Sequence, residues 1–255
     1  MGIGGLGSFG ALRADPPADA WRFPRAGITS IPTEHYLPLV TAVQDQGPLG
    51  SCTGQAFAKA LEVVDGRGIE YSSLALYYYN RKFSGLPVDK DTGAYMQPSV
   101  EMLTVLGAGS EALWPYNVDW FAKEPAQPYQ NQALDHRVEQ HYRALTTNEV
   151  RNALANGFPV VSAFEVPPGF ENTGADGVWH DNGGQALGGH AVCIVGYDDT
   201  KGRFLVCNSW GDHWGTHHPQ YADLGNGYFW LPYSAYDGER WYEGIVLQKY
   251  DREVG

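Results

Sequence analysis

At 255 residues the chain can form one large domain or two packed lobes with a sizeable core. A hydrophobic fraction of 43%, with 16 Tyr and 8 Trp, argues against a disordered chain. The formal charge of -12 argues against a surface built to hold nucleic acid or an anionic membrane, and no apolar run approaches the roughly 18 residues of a membrane span.

Residues 1–35 are rich in Gly, Pro and Ala without a sustained period, and read as an extended N-terminal arm ahead of one domain over 36–255. The arm has no basic segment followed by an apolar core, so no secretory signal is expected, and the chain is expected to be cytoplasmic or exported by a non-classical route. Met1-Gly2 begins like a myristoylation site, but Leu6 stands where Ser or Thr is needed. Gly2, Gly4 and Gly7 spell a dinucleotide-binding motif, yet no strand precedes them and no βαβ unit follows. Three cysteines, Cys52, Cys193 and Cys207, are too few for a disulfide framework.

From Cys52 the pattern turns helical. Phe57, Ala60, Leu61 and Val64 share a face, with Gly66 as the stop. Ser72 or Ser73 caps a second helix through Leu74, Leu76 and Tyr79. Pro98 suits the first turn of a third, which carries Val100, Leu103 and Leu106 and ends at Gly107. Thr146 and Glu149 have capping-box spacing before a helix through Val150 and Leu154, closed by Gly157. Strand-like runs follow at 160–164, 190–197, 203–207, 227–231 and 241–250, with a hairpin about Asp198–Gly202. The expected class is α+β: a helical lobe over about 36–125, a β lobe over about 126–255, and a cleft between them.

Four residues carry candidate chemistry. Cys52 opens a helix, where unpaired N–H groups favour an anion, and a histidine alongside can hold the proton as imidazolium. His190 opens an apolar strand, so its ring nitrogens need partners. Asn208 is expected on the adjacent strand, its carbonyl oxygen orienting the imidazole without adding charge. Gln46 sits on the glycine-flanked turn before Cys52, where its amide can donate to a developing oxyanion together with the Cys52 N–H. Taken singly, Cys52 and His190 read more simply as buried core residues; together they read as a nucleophile with its base.

The run Val43-Gln44-Asp45-Gln46-Gly47-Pro48-Leu49-Gly50-Ser51-Cys52 resembles the active-site loop of papain-like cysteine peptidases. His190-Ala191-Val192, Gly196-Tyr197, Asn208-Ser209-Trp210-Gly211 and Trp214-Gly215 resemble that family's His and Asn blocks. Weaker similarity runs through Asp91-Thr92-Gly93-Ala94-Tyr95 and Phe158-Pro159-Val160. The resemblance implies a two-lobed papain-like fold with a barrel-like β lobe. It implies an endopeptidase that works through an acyl-enzyme, with Cys52 as nucleophile, His190 as base and later acid, Asn208 as orienter and Gln46 as oxyanion donor. Gly93 and Ala94 would pair with an extended protein or peptide substrate, with Tyr95, Met96, Ala191 and Trp210 as candidate substrate contacts. No cofactor or metal is called for: His217 and His218, with His213 nearby, lack a Cys or carboxylate cluster and read as a polar loop.

Two departures qualify the resemblance. Leu49 stands where plant and animal members carry a cysteine, and Thr53 where they usually carry an aromatic residue, which is similar to the bacterial or viral branches without the usual disulfides. There is also no room for a long helical pro-segment; the arm is instead a candidate for a short inhibitory strap across the cleft, against a plain docked arm. The same residues serve equally in a transpeptidase, amidase or exopeptidase, and a catalytically silent peptide-binding module is the reading from a different class.

Overall fold

In the computed structural model, which describes residues 9–14, 22–23 and 31–248, the first long helix begins at the cysteine singled out above. Short strands β1 (Ala11–Leu12) and β2 (Glu34–Tyr36) precede α1 (Cys52–Asp65); α2 (Ser73–Phe83), β3 (Ala94–Tyr95), α3 (Met96–Val105) and α4 (Gln127–Ala133) follow. The second half runs β4 (Gln140–Arg143), α5 (Thr147–Ala155), β5 (Val160–Glu165), α6 (Phe170–Asp176), β6 (Gly189–Asp198), β7 (Arg203–Cys207), β8 (Tyr228–Pro232), α7 (Tyr233–Tyr236) and β9 (Trp241–Gln248). The Met1-Gly2 start, the Gly2-Gly4-Gly7 spelling and residues 249–250 of the last expected strand lie outside the described residues.

Local signals account for the helix ends. Gly66 takes the left-handed conformation (φ 62°) that closes α1, and the Ser72 hydroxyl accepts the Ala75 N–H at 3.2 Å to cap α2. Thr146 and Glu149 form the expected capping box on α5. The amphipathic pattern understates α1, because every residue from Cys52 to Val63 is buried. Two of its three charges neutralise each other: Lys59 Nζ donates to the Glu62 carboxylate at 2.8 Å, and Glu62 also accepts the Val40 and Thr41 N–H groups at 2.8 and 2.9 Å.

Helix α1 lies between α2 and the sheet. The seven-stranded sheet has the order β4-β9-β5-β6-β7-β8, with β2 also paired to β6, and every ladder in it is antiparallel. Side chains of β6 alternate between faces. Ala191, Cys193 and Val195 face the cluster that includes α1 and α2, whereas Val192 and Ile194 face one rich in aromatics. The α+β, papain-like arrangement is as expected, but the sheet is open where a barrel-like lobe was anticipated. Its edges are occupied by other segments: Arg22 bridges Arg143 on β4, while Val178 and Thr216 bridge Trp230 and Tyr228 on β8.

The close approach of α1 to α2 gives a test of packing against propensity. A Cβ on Gly54 would come within 2.3 Å of the Ser73 carbonyl oxygen. Helix propensity alone favours Gly54→Ala by about 1 kcal/mol. Overpacking costs about 1–3 kcal/mol, so a lower thermal midpoint is expected. A raised midpoint would contradict the observed spacing of the two helices.

Candidate active site

The loop before α1 is zipped to the segment after β7. Asp45 bridges Trp210, the Gln46 N–H donates to the Ser209 carbonyl at 2.9 Å, and the Gly211 N–H donates to the Gln44 carbonyl at 3.1 Å. Gln46 is fully buried there. Its Oε1 accepts the Ser209 hydroxyl at 2.6 Å, its Nε2 donates to the Leu49 carbonyl at 2.7 Å, and its own carbonyl accepts the Tyr116 hydroxyl at 2.8 Å. Tyr116 also meets the Ser51 hydroxyl at 2.6 Å, beside Cys52.

His190 and Asn208 come together as expected. The His190 Nε2 to Asn208 Oδ1 distance is 2.7 Å. An amide oxygen only accepts, so this bond requires the proton on Nε2 and leaves Nδ1 as a bare lone pair. Nδ1 is buried and has no hydrogen-bond partner among the described residues. The Trp210 ring lies 4.9 Å from the imidazole, tilted by 32°, and Phe164 meets it edge-on at 5.6 Å, so the bond is shielded from water.

The Cys52 sulfur lies against the backbone of Ala191, one residue along β6 from His190, and against Gly10 of the arm. Both candidate reactive groups are fully buried. Burial pushes the Cys52 thiol up to about 11, although backbone hydrogen bonds at Ala191, Gly10, Thr53 and Cys52 itself pull the other way. Burial pushes His190 down to about 4 against the raising effect of Asn208. Burial thus favours a neutral thiol and a neutral imidazole in the covered site, where a histidine alongside the thiol was expected to give an ion pair.

The cover is the arm. The Gly10 N–H donates to the Gly189 carbonyl at 3.0 Å, and the Gly10 carbonyl accepts the Ala94 N–H at 2.7 Å. Strand β1 then runs parallel to β3, with Ala11 opposite Ala94 and Leu12 opposite Tyr95. Phe9 packs beside His190 and Trp210, at 6.2 and 6.0 Å between ring centroids. Arg13 reaches Glu165 at 3.1 Å and lies 5.1 Å from the centre of the Tyr242 ring.

Of the other candidate substrate contacts, Gly93 has a left-handed φ of 74° and backs onto Gly10, where a Cβ would sit 2.3 Å from the Gly10 oxygen. Ala94, Met96, Ala191 and Trp210 are buried, and Tyr95 is half-buried. Sequence reasoning missed Ser209, Tyr116 and Tyr242. The Tyr242 hydroxyl is buried on the Gly189 side of the site and makes no hydrogen bond among the described residues. Among the described residues no group of three or more His, Cys, Asp or Glu is placed to hold a metal.

A helical lobe and a sheet lobe meet near a buried cysteine and a bonded histidine–asparagine pair. The chain belongs to the papain family: the family model described as papain family cysteine protease matches residues 33–226. It is 30% identical over 214 residues to a peptidase C1-like protein of Acanthamoeba polyphaga mimivirus, covering 77% of this chain and 66% of that protein. It is 28% identical over 222 residues to a cysteine proteinase of Hordeum vulgare, covering 81% of this chain and 59% of that one. The chain thus spans about two-thirds or less of the length of these curated relatives. Among solved structures it is similar to xylellain, a cysteine protease from Xylella fastidiosa, with a TM-score of 0.83, 26% identity, and 95% and 96% of the two chains covered.

The raised thiol predicts a pH profile. At pH 7 a thiol near 11 is protonated in all but about one molecule in ten thousand. Alkylation of Cys52 by iodoacetamide in the full chain, read by peptide mass spectrometry, should climb about tenfold per pH unit well past pH 9. A plateau near the unperturbed value of about 8.5 would contradict the covered state.

Proposed function

We propose that the chain is a cysteine endopeptidase in which Cys52 is the nucleophile. The observation that carries this reading is the His190–Asn208 bond, which leaves His190 Nδ1 without a hydrogen bond among the described residues, on the strand whose next residue, Ala191, lies against the Cys52 sulfur. With substrate in place of the arm, His190 Nδ1 takes the thiol proton as sulfur adds to the peptide carbonyl carbon. The oxyanion is held by the Cys52 N–H and the Gln46 amide, whose turn is braced by Ser209 and Tyr116. The tetrahedral adduct collapses, the C–N bond breaks, and His190 returns its proton to the leaving amine. Water, deprotonated by His190, then adds to the thioester and releases the acid and the thiol. Asn208 holds the ring in the required tautomer throughout. Gly93 and Ala94 offer backbone to an extended chain, and Tyr95, Met96, Ala191 and Trp210 border the groove.

The arm completes this reading as an autoinhibitory strap. Its hydrogen bonds to Ala94 and Gly189 use the backbone groups that a substrate strand needs, and its Gly10 lies against the sulfur.

Two tests follow. Cys52→Ala should reduce peptide hydrolysis to background and abolish labelling at residue 52 by an epoxide inhibitor; retained hydrolysis would refute the assignment. A side chain at residue 10 has no room, since a Cβ there would meet the Gly50 carbonyl oxygen at 1.9 Å. Full-length Gly10→Val should therefore expel the strap and raise activity about tenfold or more, in the same direction as deleting residues 1–30. Unchanged activity in both would remove the strap from the account.

A further inference from the structure

Besides the Tyr116 bonds, one carboxylate ties the turn just before the candidate nucleophile to the helical lobe. Asp91 accepts the Gly50 N–H with both of its oxygens, at 3.1 and 3.0 Å. Its Oδ1 also accepts the Tyr77 hydroxyl, and the Tyr77 oxygen in turn accepts the Gly93 N–H at 3.0 Å. The carboxylate and the phenol thus bridge two backbone points. One lies two residues before Cys52, and the other lies just before β3, the edge against which the arm pairs.

The bridge has its own support. Arg81 is fully buried on α2, with its guanidinium carbon 4.0 Å from the centre of the Tyr77 ring. It donates to the Val88 and Lys90 carbonyls at 2.9 and 2.7 Å, and to the Phe121 carbonyl. Holding residues 88 and 90 places Asp91 next along the chain, and stacking on Tyr77 fixes the phenol that Asp91 accepts. No covalent link does this work, because all three cysteines are free.

We infer that Asp91, supported by Tyr77 and Arg81, is a positioning residue that sets the separation between the Gly50–Cys52 turn and the Gly93–Ala94 edge. The inference rests on Cys52 being the nucleophile. One edge of the tie then governs the Cys52 N–H that faces the oxyanion, and the other governs the backbone that lines up the substrate. Freed by even about 1 Å, such groups lose on the order of a hundredfold in rate.

The test compares Asp91→Ala, Asp91→Asn, Tyr77→Phe and the Asp91→Ala/Tyr77→Phe pair. All are made in full-length chains that carry Gly10→Val so that the arm does not compete, and kcat and KM are expressed per site titrated with an epoxide. Asp91→Ala should lower kcat/KM by about tenfold to a hundredfold, mainly through kcat. Asp91→Asn keeps an oxygen for the Gly50 N–H and should recover to within about threefold of the parent. Tyr77→Phe releases Gly93 and should raise KM more than it lowers kcat, and the double variant should be no worse than Asp91→Ala. The inference is overturned by Asp91→Ala within about twofold of the parent, by Asp91→Asn falling as far as Asp91→Ala, or by an unchanged KM in Tyr77→Phe, the variant least able to disturb folding. The parent and its Cys52→Ala form run alongside. Equal activity in those two would sink the nucleophile assignment, whereas a Cys52-dependent parent indifferent to Asp91 would sink the tie alone.

Discussion

The packing of α1 across β6 is the constraint on which the site depends. Because α1 is buried along almost its whole length, its first residue cannot lie at the surface as a helix end ordinarily does, and Cys52 is driven against the Ala191 backbone. The internal Lys59–Glu62 pair allows this depth, since either charge left alone in that core would be costly. Once α1 is seated, the chain before it runs along Ser209–Gly211, and Gln46 arrives beside Ser209, next to Asn208 at the end of β7, which bonds His190 at the start of β6. His190 and Asn208 meet where β6 begins and β7 ends, and Cys52 lies against the next residue along β6 because α1 packs across that strand.

Much of this was legible in the sequence, for a physical reason. Gly66 as a stop, Ser72 as a cap and the Thr146–Glu149 capping box are local interactions, and local interactions leave local patterns. The apolar runs at 160–164, 190–197 and 203–207 are near-continuous because those strands are buried on both faces, and they fell where β5, β6 and β7 lie. Asn208 was expected next to His190 because a short hairpin fixes which residues can face each other.

The remainder could not be read in that way. Ser209, Tyr116, Tyr77 and Asp91 act through a few hydrogen bonds between residues distant in the chain, and no periodicity announces them. The openness of the sheet depends on segments around Arg22, Val178 and Thr216 that form isolated bridges rather than strands. The electrostatics were the least visible. A helix N-terminus and a neighbouring histidine favour a thiolate in the sequence, yet the arm withdraws water from both groups, and desolvation outweighs the backbone hydrogen bonds at sulfur. On the proposed reading the strap would hinder the site twice, by occupying backbone donors and acceptors of the groove and by holding the thiol and imidazole in their neutral forms.

The central claim is that acyl transfer passes through Cys52. The most direct measurement is rapid acid quenching of the Gly10→Val chain during turnover of a slowly deacylating peptide ester, followed by intact-mass and peptide mapping. The account predicts one acyl group per chain, located on Cys52, appearing before steady state and absent from the Cys52→Ala form. Turnover with no adduct, or with the acyl group on any other residue, would contradict it.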